Sequence, residues 1–532
     1  MRPPRLFFFF SVLWPLITLP LLGAVPAPIG FLIDCGASEE TKVGEITWAP
    51  DDGFINTGNK TTFDAPGLLP TLKSLRFFPD TSARKYCYLL PVVRGGKYLV
   101  RTTYYYGNFD GRGRPPVFDQ IIDGTRWSVV NTTVDYSRGL STFYEIIIAA
   151  TGKTMSVCLA RNDQTVSSPF ISALEVGYLE TSLYNSTDFS KYALTTVARH
   201  NFGHSGNIVR FSVFSLTHNT GLQTSFPDDP FNRYWVPFTD SHPAVTSKSN
   251  ASVMDFWNKP PALAFETALA TKQSSDILHL QWPEAYLPSS NYYIALYFQD
   301  NRAPAPNHWR SFSISINDKN FYTNLNVSTS GLVVYANNWS LSGLTQIKLT
   351  PTPESTFGPV INAGEVLQIR LLGEELSQEM VFVAMQELAR ALDNPPFDWS
   401  GDPCLPHGNS WTGVSCTEGD IVRVISLNLT NFGISGSLSS KIADLTALNH
   451  ILLGNNKLSG PIPEISSLKE LVSLHLENNQ FDGQIPSSVG DLVNLSELFL
   501  QNNNLTGSIP KSLLSKTGLD IQLSPGNHFD GM

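Results

Sequence analysis

Four places in this chain carry residue types that reaction centres use. Asp51-Asp52 and Asp228-Asp229 are paired carboxylates, the currency of glycoside hydrolysis. Such a pair must face itself across a substrate at about 5–9 Å, whereas neighbours on an extended chain point to opposite sides. Both pairs therefore read as loop-capping aspartates. Gly152-Lys153-Thr154 ends like a phosphate-binding loop, but Ile147 stands where the loop's first glycine belongs. Gly203-His204-Ser205-Gly206 lacks the order of a nucleophile elbow. His200 and His204 have metal-like spacing, yet Gly203 and the turn composition around it deny them a shared helix face. No catalytic residue, metal ligand or cofactor is expected.

What remains is binding chemistry. A sugar ring offers C–H faces to aromatic planes and hydroxyls to Asn, Asp and Arg, so a lectin-type site gathers those types on loops. Trp48, Tyr105, Tyr106, Asn108, Asp110 and Arg112 form one such set, and Tyr297, Asp300, Arg302 and Trp309 a second. The alternative for each residue is core or turn structure, which Gly107 and Gly111 favour and which is the commoner fate of an aromatic side chain.

The elements that must hold these sets are strands. Runs at 86–93, 97–106, 117–122, 143–149 and 155–160 are separated by Gly, Pro and Asn, the pattern of an antiparallel sandwich. An internal repeat follows at an offset of 194: Tyr98, Val100, Thr102 and Tyr104 return as Tyr292, Ile294, Leu296 and Phe298. Phe118, Gln120, Ile122 and Asp123 return as Phe312, Ile314, Ile316 and Asn317, and Trp127 falls on Phe321. Period-2 alternation puts each set on one sheet face, the core face of each copy. The opposite face carries Arg101, Thr103 and Tyr105, then Ala295, Tyr297 and Gln299.

After these, apolar residues at Val381, Met385, Leu388 and Leu392 have helical spacing, and Pro395-Pro396 ends the helix. Repeats begin near Val424 and recur at 448, 471 and 495 with the pattern L-x-x-L-x-L-x-x-N-x-L-x-G-x-I-P. Their Asn456, Asn479 and Asn503 are placed to bond backbone that neither helix nor sheet satisfies. Phe432 replaces the asparagine in the first copy, and a half-coil at Leu519, Ile521 and Leu523 ends the series. On the short parallel strands His450, Leu452, His475, Glu477, Glu497, Phe499 and Gln501 face solvent as a partner surface, with Leu452 and Phe499 apolar there; scattered surface apolar residues are equally ordinary. A solenoid needs a cover on its first coil. The loop from Cys404 to Cys416, with Trp399 and Trp411, supplies one.

Arg2 and Arg5 precede an apolar run at 6–22, then Gly23 and Ala24, the form of a secretory signal cut near residue 24; an uncleaved anchor is the other reading. Export gives meaning to nine sequons, at Asn59, Asn131, Asn185, Asn250, Asn326, Asn338, Asn428, Asn494 and Asn504. Five cysteines imply local staples, Cys404 with Cys416 and, because both lie in strands, Cys87 with Cys158. A net charge of −10 without a Lys/Arg run argues against nucleic acid.

Ile33-Asp34-Cys35-Gly36, Leu75-Arg76-Phe77-Phe78-Pro79, Cys87-Tyr88-Leu89-Leu90-Pro91, Tyr106-Gly107-Asn108-Phe109-Asp110 and Pro169-Phe170-Ile171-Ser172-Ala173-Leu174-Glu175 resemble the tandem malectin-like ectodomains of plant leucine-rich-repeat receptors. Gly401-Asp402-Pro403-Cys404 resembles the joint of the symbiosis-receptor-kinase group. The stretch 212–225 has no counterpart in that pattern and reads as a polar insertion or a gene-model artefact. The resemblance implies a mostly β fold: two tandem malectin-like jelly-roll β-sandwiches at 29–199 and 200–372, a helical, disulfide-closed cap at 374–422, a short plant-type leucine-rich-repeat solenoid at 423–523 and a tail at 524–532. It implies a non-catalytic extracellular receptor-like protein, binding a cell-wall-type saccharide or a small peptide through the sandwiches and a co-receptor or cell-wall protein through the repeats. Malectin itself binds a di-glucose unit. Family members reach the plasma membrane by a helix beyond the repeats, and a chain lacking one is expected in the extracellular space or wall. The alternative is a secreted inhibitor or scaffold docking on another wall protein.

Overall fold

The computed structural model describes residues 30–530 except 45, 64–66, 205–228, 248–255, 303–308, 373–378, 407 and 419–421. The leader, the 212–225 stretch, Asp228, Asn250 and the start of the cap helix lie outside the described residues.

Alternating β-branched and aromatic residues build one 11-stranded sheet that runs through both halves of the first 372 residues. Its first part is ordered Phe31–Asp34, Ala173–Leu179, Lys97–Tyr104, Thr142–Ala149; its second is ordered Tyr192–Phe202, Ala363–Leu371, Leu287–Phe298, Leu332–Gly343. A four-stranded sheet accompanies each part. Tyr86–Pro91, Thr154–Arg161, Phe118–Ile122 and Thr125–Val130 in the first are matched, strand for strand, by Leu278–Gln281, Gln346–Pro351, Ser311–Ile316 and Lys319–Asn326 in the second. Residues 98–127 and 292–321 thus occupy equivalent places.

The offset repeat marks the two cores. Tyr98, Val100, Tyr104, Phe118, Ile122 and Trp127 share one cluster; Tyr292, Ile294, Leu296, Phe298, Phe312, Ile314 and Ile316 share another. The sequence boundary at 199 and 200 falls inside the strand Tyr192–Phe202, which pairs along its length with Ala363–Leu371 and only at Ile146↔Thr195 and Ile147↔Leu194 with the first part. Topologically this strand opens the second half.

The opposite sheet face is also covered. Leu99 and Ile147 from the first part join Leu194, Tyr293, Ala295, Tyr297 and Leu367 from the second, beneath Tyr184, Trp235 and Phe265. Charged residues cross the seam there. Glu145 accepts from Arg101 at 2.7 Å and from Arg199 at 2.6 Å, while Arg199 reaches Glu365 at 3.1 Å. Arg101 also bonds Glu175 at 2.8 Å and lies 3.5 Å from the ring centre of Tyr234. Burial alone would push Glu145 up, but Arg199 and Arg101 outweigh it and hold the carboxyl at about 2.

The repeats form a parallel ladder, Val424–Asn428, His450–Leu452, Ser473–His475, Glu497–Phe499 and Asp520–Gln522, and Val414–Cys416 opens it antiparallel. Each ladder asparagine bonds the turn backbone as its position demands. Asn479 donates to Leu453 O at 2.9 Å and Leu476 O at 3.1 Å, and accepts from Leu458 N at 3.0 Å. Asn527, in the expected tail at 524–532, is a further rung, donating to Leu500 O at 2.8 Å. The strand His528–Phe529 pairs with Asn504–Gly507. Asn479→Ala strands these groups, and denaturant unfolding is expected to show a loss of about 1–3 kcal/mol.

The cap helix Glu379–Ala391 buries Val381, Ala384, Met385 and Leu388 against the first coil. Trp399 and Trp411 stack at 5.2 Å, and Cys404 bonds Cys416. This cap also grips the first half. Lys85 Nζ donates to Asp402 O at 2.6 Å and Leu405 O at 2.7 Å, and Asp398 accepts from Arg84 N at 3.0 Å. Burial pushes Lys85 down to about 8 against the opposing pull of Asp402 and Asp398. Gly401 rests on the Cys87–Cys158 bridge: a Cβ there would lie 3.0 Å from Cys87 Sγ.

Candidate functional site

The first aromatic set splits in two. Tyr106 is buried, packed on Tyr136 at 4.9 Å, and its hydroxyl donates to Asp110. Asn108, with φ of 57°, accepts from Gly113 N at 2.7 Å, and Asp110 accepts from Arg112 N at 3.1 Å. Burial would raise Asp110, but Ser167, Tyr106 and Arg112 together hold its carboxyl below the usual range. These residues set the shape of the 106–113 loop. Asn108 is exposed on that loop, and two more candidates reach solvent: Tyr105, half-buried edge-on to Phe63 at 5.8 Å, and Arg112, whose side chain is 60% exposed while donating to Val166 O at 2.7 Å. Trp48 is buried in Ile46–Pro50, three strands away from Lys97–Tyr104 in the sheet order, and is not part of this loop.

The second set is corrected in the same way. Tyr297 is wholly buried under Trp235 and Phe265, because residues from elsewhere in the chain cover the sheet face on which it stands. Asp300 is buried, gripped by Arg302 and 3.5 Å from Arg310 Nε. Arg302, over the Phe357 ring at 3.2 Å, and Trp309, 53% exposed, remain accessible.

The described members of the carboxylate pairs, Asp51, Asp52 and Asp229, are arginine anchors. Buried Asp51 clamps Arg76 at 2.6 and 2.7 Å and accepts from Tyr88 at 2.9 Å, while Asp52 shares Arg76 at 2.9 Å. Buried Asp229 holds Arg233 and the Trp235 indole, each at 2.8 Å. His200 accepts from Trp282 Nε1 at 3.1 Å. Among the described residues no group of three or more His, Cys, Asp or Glu could hold a metal ion.

The repeat face gathers its residues more fully. His450 Nδ1 lies 3.2 Å from Ser473 Oγ, which donates to Glu497 at 2.7 Å; His475 Nε2 reaches the same carboxylate oxygen at 3.0 Å. The His475 ring stacks on Phe499 at 4.2 Å. The hydrogen bond from Ser473, aided by His475 and His450, holds Glu497 below the ordinary glutamate range. Gln501 donates to Gln522 at 3.2 Å, and the Glu477 carboxylate folds over Gly454, where a Cβ would stand 2.1 Å from Oε1. Leu452 is half-buried on the neighbouring strand. The network crosses three coils because parallel register stacks His450 on Ser473 and Ser473 on Glu497. Ser473 is its hub, a role legible only once the register is known.

A family model described as Malectin-like domain matches residues 33–369, and Leucine Rich Repeat models match 470–492 and 494–515. A leucine-rich repeat receptor-like serine/threonine-protein kinase of Arabidopsis thaliana is 30% identical over 441 residues, 79% of this chain and 47% of that protein. A receptor-like protein kinase from the same plant is 28% identical over 467 residues, 82% of this chain and 50% of its own. The chain spans about half the length of the curated relatives it matches, and the kinase domain is not within it. Among solved structures, the ANXUR1 extracellular domain from Arabidopsis thaliana matches at TM-score 0.51 and 16% identity, covering 64% of this chain and 97% of that one. The ANXUR2 extracellular domain gives the same values. At that identity the likeness is one of fold. With the domain match covering residues 33–369 and the repeats following it, the chain belongs to the malectin-like domain family and carries that domain together with leucine-rich repeats, resembling the extracellular regions of plant receptor-like kinases.

Proposed function

We propose that this chain is a non-catalytic extracellular receptor-like protein built on two tandem jelly-roll sandwiches. Its loops take a saccharide or peptide ligand, and its repeat face takes a protein partner. The observation that carries the reading is the His450–Ser473–Glu497–His475–Phe499 array, in which partly exposed polar and aromatic side chains from three coils are tied together through the buried Ser473 hydroxyl. Tyr105 and Arg112 on one half, with Arg302 and Trp309 on the other, supply the aromatic and hydrogen-bonding groups a sugar or peptide needs. Export through the secretory pathway belongs to the same proposal.

Two sets of variants separate the surfaces. Tyr105→Ala with Arg112→Ala is expected to weaken binding of cell-wall oligosaccharides or peptides about tenfold or more by calorimetry, the loss of one anchor contact. His475→Ala with Phe499→Ala is expected to leave that affinity unchanged and to abolish retention of the protein partner. Retention undiminished in the second variant would remove the repeat face from the account.

A further inference from the structure

We propose that N-linked glycans on Asn185, Asn326 and Asn338 cover the open edge of the long sheet and keep a second copy of this chain from adding to it. The inference rests on export of the chain, and not on which ligand it binds.

The long sheet ends on Leu332–Gly343, a 12-residue strand paired on one side with Leu287–Phe298 and, among the described residues, with no strand on the other. The molecule itself shows what such an edge accepts. In the first half the equivalent strand is Thr142–Ala149, and its outer edge is taken by Tyr192–Phe202 from the second half. Among the described residues nothing equivalent follows Leu332–Gly343. Open edges are usually blunted by charge or proline, but this strand, Leu-Val-Val-Tyr-Ala-Asn-Asn-Trp-Ser-Leu-Ser-Gly, has no Lys, Arg, Asp, Glu or Pro. Its pairing with Leu287–Phe298 is bulged in two places, which bends the strand without charging it. Tyr335 stands exposed on it beside Asn337, Asn338, Ser340 and Ser342, so the edge is uncharged as well as unpaired.

One sequon lies in this strand and two lie on segments that touch it. Asn338 lies within it and is exposed. Asn326 is the exposed last residue of Lys319–Asn326, the terminal strand of the facing sheet, and the Phe321 and Trp339 rings, 5.1 Å apart, hold the two terminal strands together. Asn337 Nδ2 donates to Ser186 O at 3.1 Å, which brings the exposed Asn185 alongside. At each site the Asn Nδ2 would bond the anomeric carbon of a lipid-diphosphate oligosaccharide. The carbon–oxygen bond to the diphosphate breaks, the lipid diphosphate leaves with the electron pair, and the amide gives up one proton, with no oxidation or reduction. A branched sugar is wider than the strand spacing of about 4.8 Å and carries no backbone to extend the ladder.

The test uses the full chain secreted from eukaryotic cells. Glycopeptide mass spectrometry is expected to find Asn185, Asn326 and Asn338 occupied. Occupancy elsewhere but not at these three, or secretion without any glycan, overturns the proposal alone, whereas wild type retained inside the cell without any glycan overturns the export reading too. In light scattering, wild type and Asn494→Gln are expected to stay monomeric. Asn326→Gln with Asn338→Gln is expected to raise the average mass about twofold or more as concentration increases. If that variant is not secreted, trimming folded wild type to single sugar residues is expected to do the same, and Asn337→Lys, which charges the edge, to reverse it. A monomeric trimmed protein, or oligomers indifferent to Asn337→Lys, would overturn the proposal.

Discussion

Arg101→Met is expected to lower unfolding stability by about 3–5 kcal/mol, the cost of leaving a buried charge without its partner. Arg101 is fully buried and is shared between Glu145, at 2.7 Å, and Glu175, at 2.8 Å. Removing it leaves two buried carboxylates, of which only Glu145 retains an arginine, Arg199 across the seam. The pH dependence follows from the direction of the shift. Glu145 sits at about 2 in the folded chain, below the value of about 4.3 it has when unfolded, so its contribution is complete above the unfolded value. That contribution fades as pH falls from about 4.3 towards 2. Denaturant unfolding across that window should be steeper for wild type than for Arg101→Met. Equal slopes would place the ion pairs outside the stability account.

The second large effect is expected at the joint with the repeats. Gly401 has φ of +68°, which side chains rarely adopt, and its missing Cβ would lie 3.0 Å from Cys87 Sγ and 3.2 Å from Cys158 Sγ. Gly401→Val combines backbone strain with a collision against a disulfide that cannot move aside, a cost of about 2–4 kcal/mol. Gly408 provides the control, since its φ is +90° but nothing lies within 4 Å of an added Cβ, so Gly408→Ala carries the backbone term alone. Because Lys85 and Asp398 hold the same contact, the strain is expected to release as separation of the cap from the first half. Limited proteolysis should cut Gly401→Val near residues 393–396 faster than wild type or Gly408→Ala.

The core faces and the ladder asparagines could be read from the sequence because both depend on local spacing. Tyr98 and Tyr292 alternate with their neighbours, and Asn479 stands at a fixed place in each coil, so periodicity alone locates them. Asn527 was missed because the last coil lacks the rest of the pattern. What covers Tyr106, Tyr297 and Asp300 was not legible, although core or turn structure is the commoner reading for each. Their burial depends on Tyr136, Trp235 and Arg302 arriving from distant or irregular segments, and no period encodes their approach. The same holds for Glu145, whose partners Arg101 and Arg199 are separated by most of a domain, and for Lys85, which meets its carbonyl acceptors more than three hundred residues later. The repeat face was named residue by residue from strand positions, but its connection through Ser473 needed the register.

Binding without chemical change is the central claim, and one experiment addresses it directly. The full glycosylated chain would be screened against cell-wall oligosaccharides and a random peptide display library, with retained ligands recovered and analysed by mass spectrometry. The account predicts ligands released intact, with oligosaccharide or peptide retention lost in Tyr105→Ala with Arg112→Ala. Recovery of a cleaved oligosaccharide, or retention indifferent to those substitutions and to His475→Ala with Phe499→Ala alike, would contradict it.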